Sequence, residues 1–258
     1  MTGNRISLAL LLASLILCLS CQRGTRNRVD ENKLPHVILW AWERPENLEF
    51  LDSQKFGVAF LAQTIVLKND DVVPQPRRNV LQLGPTTKLI AVTRIESQKI
   101  TRERATLSDK QLRTLVPLIL KTADLKNVAA IQVDFDAVAS ERVFYRQLLE
   151  ALRRSLPDNV PLSMTALASF CIGDRWLTSL PVDEAIPMVF RMGTDSQQIK
   201  TLLTEGHDFR EQLCRRSYGI ALDEPLEAEL EPARRLYVFN SHSWTPGDVQ
   251  LINERIGQ

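Results

Sequence analysis

The segment Val128-Ala-Ala-Ile-Gln-Val-Asp-Phe-Asp136 is the strongest indication of the fold, because its pattern predicts a buried β-strand that becomes acidic at its end. Alternate side chains of a strand share a face, so Gln132, Asp134 and Asp136 point one way and the apolar residues between them point the other. The apolar face has to pack on helices, and the polar face has to open onto a space that accepts two carboxylates. A parallel barrel offers such a space at the mouth formed by the C-terminal ends of its strands.

Strand-like and helix-like segments alternate along the rest of the chain. Strands that alternate with helices imply right-handed parallel units, and eight of them predict a closed (β/α)8 barrel. We expect one barrel domain over residues 35–258. A doubly wound open sheet is the alternative, but no strand is followed by a glycine-rich phosphate loop. The strand candidates are 36–42, 57–67, 88–95, 128–136, 161–167, 184–192, 218–222 and 235–240.

Capping signals place several of the helices. Ser108-Asp-Lys-Gln111 is a capping box and predicts a helix to about residue 123. Thr194-Asp-Ser-Gln197 predicts a second one, with Gly206 as its stop. Thr245-Pro246 predicts the start of the terminal helix. Apolar spacing adds helices at 45–51, 140–156 and 174–180, and the proline-rich segment 74–78 is predicted to be a connection.

The N-terminal residues resemble a targeting signal. Residues 1–20 have the apolar run of a signal peptide, and Ser20 before Cys21 resembles a bacterial lipoprotein signal in which the cysteine is lipidated. Residues 21–34 are then the lipidated cysteine and a polar tether. Gln22 resembles lipoproteins of the outer membrane, so we expect a lipid anchor on its periplasmic face. A secreted protein and a short membrane anchor are the alternatives.

Composition limits the partners and the metal sites. The formal net charge is +1 and no basic patch is concentrated in the chain, which argues against a nucleic-acid partner. No Cys/His cluster has metal-ligand spacing, so we predict neither a metal nor a cofactor. Cys171 and Cys214 remain in the mature chain. An oxidising envelope would allow a disulfide between them, but two buried free thiols fit the spacing equally well.

Polar residues end most of the predicted strands. The C-terminal ends of barrel strands meet in one mouth, so these side chains are expected to lie close together. Carboxylates, amides and arginines hold sugar hydroxyls, and tryptophan faces stack on sugar rings. We therefore predict a glycan or small-molecule ligand. Its predicted binding residues are Trp42, Arg94, Glu96, Arg191, Asp223 and Asn240.

The acids among these strand ends also fit glycoside hydrolysis, which needs two carboxyl groups. Asp134 and Asp136 are about 6–7 Å apart on one strand face, close enough for coupled ionisation that raises one pKa. We predict Asp136 as the leading catalytic carboxylate and Asp134 as the group that tunes it. Glu43 or Glu224 would be the partner across the mouth.

Two of these assignments have structural alternatives. Asp134 can instead form an ion pair with Arg94 or Arg191 that closes the top of the barrel. Trp40 and Trp42 can instead pack between barrel and helices, because both faces of the first strand are largely apolar.

Three motifs resemble a bacterial family described as domain of unknown function 3142. They are Ile131-Gln-Val-Asp-Phe-Asp-Ala137, Leu162-Ser-Met-Thr-Ala-Leu-Ala168 and Asp183-Glu-Ala-Ile-Pro-Met-Val-Phe-Arg-Met-Gly193. The resemblance covers essentially the mature chain. It implies an envelope lipoprotein or a secreted protein, and it brings no assigned activity.

A more distant likeness is to chitinase-type barrels, the family 18 glycoside hydrolases. Their fourth strand ends in Asp-x-Asp-x-Glu, which Asp134-Phe-Asp136 matches, but Val138 stands in place of the glutamate that is the general acid there. Either another acid, such as Glu141 or Glu224, replaces it, or the barrel binds without cleaving. Two hypotheses follow: a hydrolase of a polysaccharide or peptidoglycan-derived glycan, and a non-catalytic glycan-binding or envelope-assembly lipoprotein. The missing glutamate favours the second hypothesis, and the acid-rich strand ends favour the first, which we take as the leading one.

Overall fold

The computed structural model describes residues 34–224 and 226–256. The predicted signal peptide, Cys21 and all of the tether except Leu34 lie outside the described residues. The strands are β1 (Val37–Ala41), β2 (Glu46–Leu48), β3 (Phe56–Lys68), β4 (Asp71–Pro76), β5 (Leu81–Leu83), β6 (Leu89–Ser97), β7 (Val128–Asp134), β8 (Leu162–Leu167), β9 (Glu184–Met188), β10 (Ser217–Ala221) and β11 (Arg235–Phe239). The helices are α1 (Asp109–Leu120), α2 (Arg142–Ser155), α3 (Ala168–Ile172), α4 (Ser196–Thr204) and α5 (Pro246–Ile256).

Eight parallel strands close into a barrel, which confirms the predicted fold. They follow the order β1, β11, β10, β9, β8, β7, β6, β3, and β3 pairs back to β1. This last pairing excludes the open-sheet alternative, because it leaves the barrel without a free edge. β4 extends β3 as an antiparallel hairpin, and β2 and β5 form a separate two-stranded parallel ribbon.

Helices occupy only part of the ring around the barrel. Within the described residues they follow β6, β7, β8, β9 and β11, whereas short strands replace them in the first two connections. The predicted helix at 45–51 is therefore wrong, because Glu46–Leu48 pairs with Leu81–Leu83. Segment 74–78 is likewise more than a connection, since it contributes to β4.

The connection after β8 also differs from its prediction. The helix there is Ala168–Ile172, and the predicted helix at 174–180 is a series of turns. The Asp174 carboxylate accepts a hydrogen bond from the backbone N–H of Trp176 at 3.1 Å, and Ser179 has a φ of 63°. Both features favour turns over a continued helix.

Two of the three predicted helix caps are present. Ser108 and Gln111 exchange the reciprocal hydrogen bonds of a capping box. Thr245 Oγ1 accepts from the backbone N–H of Asp248 at 3.2 Å. The capping box at Thr194 is wrong, because a 3₁₀ turn at Gly193–Asp195 precedes α4 and no side chain caps it. Gly206, with a φ of 78°, follows the end of α4 as predicted.

The barrel interior has its own apolar cluster, separate from the main core between strands and helices. Ile38 and Trp40 belong to this interior cluster, which settles the inward face of β1. Gln132 joins the interior through two hydrogen bonds: its side chain accepts from Trp40 Nε1 at 2.9 Å and donates to Ser163 Oγ at 3.3 Å. At the N-terminal end, Glu184 accepts hydrogen bonds from Tyr237 and from Arg235.

A disulfide joins Cys171 in α3 to Cys214 in the 3₁₀ turn Gln212–Arg215. Their Cα atoms are 5.9 Å apart and 43 positions separate them in the sequence. The bond ties the connection after β8 to the segment before β10. Of the helices that the structure describes, none is both long and apolar enough to cross a membrane.

Candidate functional site

A cavity of about 310 Å³ lies at the C-terminal ends of the barrel strands. Its walls come from β1, β6, β7, β8, β9 and β11 and from the loops that follow several of them. Its polar residues come mainly from the ends of β6, β7 and β8, and its aromatic residues from the ends of β1, β9 and β11, on the other side of the barrel. Methionine, leucine and isoleucine side chains line the cavity as well. Five of the predicted site residues line the cavity, three from the binding set and two from the catalytic set: Trp42, Arg94, Arg191, Asp134 and Asp136.

Asp134 is the buried carboxylate of the polar side. It is the last residue of β7 and only 4% exposed. Its Oδ1 accepts from Thr165 Oγ1 at 2.6 Å, and its Oδ2 accepts from Arg94 Nη1 at 3.1 Å. Burial raises the pKa of this carboxyl, and the negative charge of Asp136 adds to the rise, against the hydrogen bonds from Thr165 and Arg94. The predicted alternative, an ion pair with Arg94, is therefore present.

Asp136 is the exposed carboxylate of the same side. It lines the cavity two residues beyond Asp134, as the strand periodicity predicts. Its side chain has no hydrogen bond or ion pair to residues 34–224 or 226–256, although its charge helps to raise the pKa of Arg94. Asp136 is thus the carboxylate of this side that is available to a ligand.

Arg94 connects the polar side of the cavity to the aromatic side. Its guanidinium carbon lies 5.6 Å from the ring centroid of Trp42, within the range of a cation–π contact. Its Nε donates to Glu96 Oε1 at 3.0 Å. Glu96 is exposed and does not line the cavity. Its hydrogen bond orients the Arg94 side chain.

The aromatic side of the cavity consists of four rings, those of Trp40, Trp42, Phe190 and Phe239. The rings of Phe190 and Phe239 stack with centroids 5.3 Å apart, and Trp40 lies 6.3 Å from Phe190. A Cβ on Gly219 would come within 3.0 Å of Trp40 Cη2, so the glycine leaves the space that the indole occupies. The tryptophans therefore face the interior and the mouth, which rejects the alternative that they pack against the helices.

Arg191 lies in the loop after β9, because β9 ends at Met188 and not at the predicted residue 192. Its φ of 50° is left-handed, and the Glu224 carboxylate accepts from its backbone N–H at 2.9 Å. Its guanidinium lies 4.8 Å from the Phe239 ring centroid and 3.7 Å from Asp223 Oδ2. Asp223 and Glu224 thus hold this loop in place.

Several predicted site residues lie outside the cavity lining. Glu224 is bound to the Arg191 backbone and to Lys200 Nζ at 3.1 Å, and the first of these contacts chiefly lowers its pKa. Glu43 is exposed on the loop after β1. Asn240 is buried, and its backbone oxygen accepts from Arg44 at 3.2 Å. The structure does not bring Glu43, Glu96, Asp223, Glu224 or Asn240 to the cavity surface.

Glu141, predicted as a possible general acid, does not line the cavity. Its carboxylate accepts from the backbone N–H of Val138 at 2.8 Å and from the Ser97 hydroxyl. It also lies 3.8 Å from Lys99 Nζ. Glu141 therefore starts the helical segment after β7 and lies outside the cavity lining.

Several residues of the site were not predicted from the sequence, including Phe190 and Phe239 on the aromatic side. Thr165 binds Asp134, and Asp195 adds a third carboxylate to the cavity from the turn before α4. Arg77 donates to the backbone oxygens of Ala41, Trp42 and Arg44 and so fixes the loop that carries Trp42. Inward alternation along β8 could have identified Thr165, but no local signal marks Arg77, since its partners are 33–36 residues away.

No protein-family model matches the chain, and no curated protein matches it significantly. Among the residues that the structure describes, no group of three or more His, Cys, Asp or Glu side chains is arranged to hold a metal ion. The site's own geometry therefore carries the functional argument.

Proposed function

We propose that the barrel binds a carbohydrate in the cavity at the C-terminal ends of its strands. The observation that carries this proposal is the two-sided lining: aromatic rings lie at or just beyond the ends of β1, β9 and β11, and the carboxyl groups of Asp134 and Asp136 lie at the end of β7, on the other side of the barrel. Sugars present apolar ring faces and hydroxyl edges, so they match a cavity with one aromatic and one polar side. Carbohydrate binding also agrees with the barrel mouth as the position of the site.

The polar side supports binding more strongly than cleavage. Asp134 is held by Arg94 and Thr165, and the predicted partner acids Glu43 and Glu224 lie outside the cavity. Val138 stands where the family 18 barrels have their general acid. The geometry thus supports a glycan-binding barrel as the first candidate.

Glycoside hydrolysis is the second candidate, and one observation favours it. Burial and the neighbouring charge of Asp136 raise the pKa of Asp134, so one of the two carboxyl groups at the end of β7 takes up a proton more readily than an ordinary aspartate does. Asp195 supplies a further carboxylate from a different loop. In this candidate Asp136 acts on the sugar as the nucleophile or base, and Asp134 keeps its role as the tuning group.

The envelope location is part of the proposal. The Cys171–Cys214 disulfide supports an oxidising compartment. Ser20 before Cys21 supports a lipid anchor on that cysteine. Metabolic labelling with a fatty-acid analogue tests this point: the wild type should be labelled and Cys21→Ala should not.

The function is tested with the full chain in a detergent that has no sugar headgroup. The protein is titrated with neutral, acidic and amino oligosaccharides of envelope and plant origin, and binding and products are followed by mass spectrometry. Asp158→Asn is the matched control for Asp136→Asn, because Asp158 is an exposed aspartate before β8, at the opposite barrel end. Binding that Asp136→Asn weakens and Asp158→Asn leaves intact supports the proposal.

Cleavage products that appear with the wild type and not with Asp136→Asn would establish the second candidate. If no oligosaccharide of any class binds, the carbohydrate proposal is overturned.

A further inference from the structure

The charged groups that line the cavity leave negative charge without a protein partner. Both arginines are already paired, Arg94 with Asp134 at 3.1 Å and Arg191 with Asp223 at 3.7 Å. Asp136 and Asp195 are exposed, and in the described part of the chain neither side chain has a hydrogen bond or an ion pair. A ligand therefore meets two unpaired carboxylates and no unpaired arginine.

The aromatic side of the cavity engages the two arginines further. The guanidinium groups of Arg94 and Arg191 lie over the rings of Trp42 and Phe239, so cation–π contacts as well as ion pairs hold them away from a ligand anion. An acidic sugar would place its anion against Asp136 or Asp195 and would have to displace an existing ion pair to reach an arginine. The negative charges of the sugar and of these carboxylates would repel each other, so acidic glycans are disfavoured.

The two unpaired carboxylates also lie on different elements. Asp136 follows β7, whereas Asp195 lies in the turn before α4, beyond β8 and β9. Ammonium groups on successive sugar units of an oligomer can meet carboxylates that are separated in this way, and each contact would be a charge-assisted hydrogen bond.

On the basis of the carbohydrate proposal above, we infer that the ligand is an oligomer of amino sugars whose nitrogen atoms carry no acyl group. Asp136 and Asp195 bind the ammonium groups, and the aromatic side receives the ring faces. The cavity selects against the same oligomer in its N-acetylated form, which is neutral at these nitrogen atoms.

The test compares two probes of equal length, the glucosamine trimer and the N-acetylglucosamine trimer. Isothermal titration is carried out with the full chain in the detergent described above. We expect the glucosamine trimer to bind about tenfold more tightly or better, since hydrogen bonds to charged groups are worth more than neutral ones. Added salt should weaken this binding and leave that of the acetylated trimer little changed.

Asp136→Asn and Asp195→Asn should each lower the affinity for the glucosamine trimer by about tenfold. Asp158→Asn makes the same chemical change at the opposite barrel end and should leave the affinity unchanged. Thermal unfolding of each variant separates a lost contact from a lost fold. Spermidine is a third probe, because it carries positive charge without a sugar ring.

The outcomes separate this inference from the function it depends on. Equal or tighter binding of the acetylated trimer, or no effect of either aspartate variant, overturns the inference while carbohydrate binding stands. Spermidine binding as tight as that of the glucosamine trimer also overturns it, because the cavity would then select charge and not a sugar. If neither trimer nor any other oligosaccharide binds, the carbohydrate proposal itself fails.

Discussion

The guanidinium of Arg94 donates a hydrogen bond to the buried carboxylate of Asp134 at 3.1 Å, at the top of the barrel interior. This ion pair distinguishes the two acidic residues at the end of β7. Asp134 is tied into the barrel, whereas Asp136, two residues further on, remains exposed in the cavity. Of the two acids in this motif, Asp134 is thus bound within the protein and Asp136 is available to a ligand.

The raised pKa of Asp134 predicts a pH-dependent stability. The native state holds this proton more tightly than the unfolded chain, so stability falls as the pH rises from the ordinary aspartate value of about 3.9 through the raised pKa. Asp134→Asn removes this contribution. The free energy of unfolding of the variant relative to the wild type should therefore increase across that window, as measured by urea denaturation at a series of pH values.

Asp158→Asn, which changes an exposed aspartate, serves as the control and should follow the wild-type pH profile. A relative stability of Asp134→Asn that stays flat or decreases with rising pH would show that burial does not raise this pKa.

The indole of Trp42 should contribute to binding more than to stability. It is half-buried at the cavity, on the loop that Arg77 holds. Trp42→Ala removes a stacking face worth about 1 kcal/mol, so we expect a loss of roughly fivefold to tenfold in oligosaccharide affinity and a small change in melting temperature. Titration calorimetry and thermal unfolding measure the two effects. An unchanged affinity would place the sugar away from Arg94 and Trp42.

The disulfide should contribute strongly to stability. It links residues 43 positions apart. Closing a loop of this size limits the conformations of the unfolded chain and so raises the free energy of unfolding by about 2–4 kcal/mol. The double variant Cys171→Ser/Cys214→Ser should lose about this much in urea denaturation. Denaturation of the wild type with a reductant is the paired measurement and should give the same loss. Wild-type curves that coincide with and without reductant would mean that the two thiols are free.

Gly219 should tolerate no side chain. An added Cβ would lie 3.0 Å from Trp40 Cη2 and 3.2 Å from both Ile186 Cγ2 and the backbone oxygen of Pro187. Crowding of this kind in a packed interior costs about 1–3 kcal/mol, so Gly219→Ala should unfold at lower urea. Gly173→Ala is the control, because nothing lies within 4 Å of its added Cβ. Equal midpoints for the two variants would contradict the close packing of Trp40.

The barrel could be predicted because its evidence is local and repeated. Alternating apolar runs mark the eight barrel strands, and the capping signal at Ser108 appears in the structure as expected. The first connections could not be predicted in this way. Glu46–Leu48 becomes a strand because it pairs with Leu81–Leu83, more than thirty positions away, and no local pattern reports that pairing.

The site could be predicted only in part, for a related reason. Strand periodicity places Asp134 and Asp136 correctly, because the alternation of side chains is fixed by the backbone. It cannot say where a loop carries the next acid. Glu224 follows β10 as predicted, yet its carboxylate accepts a hydrogen bond from the backbone N–H of Arg191 and does not line the cavity. Asp195 lines the cavity from a turn whose sequence resembles a helix cap.

Carboxyl footprinting with mass spectrometry tests whether the sugar binds in this cavity. A water-soluble carbodiimide labels exposed carboxylates of the full chain with and without a saturating oligosaccharide. We expect Asp136 and Asp195 to be labelled in the free protein and protected in the complex, while the labelling of Asp158 is unchanged. Binding that leaves Asp136 and Asp195 fully labelled and protects carboxylates elsewhere would contradict it.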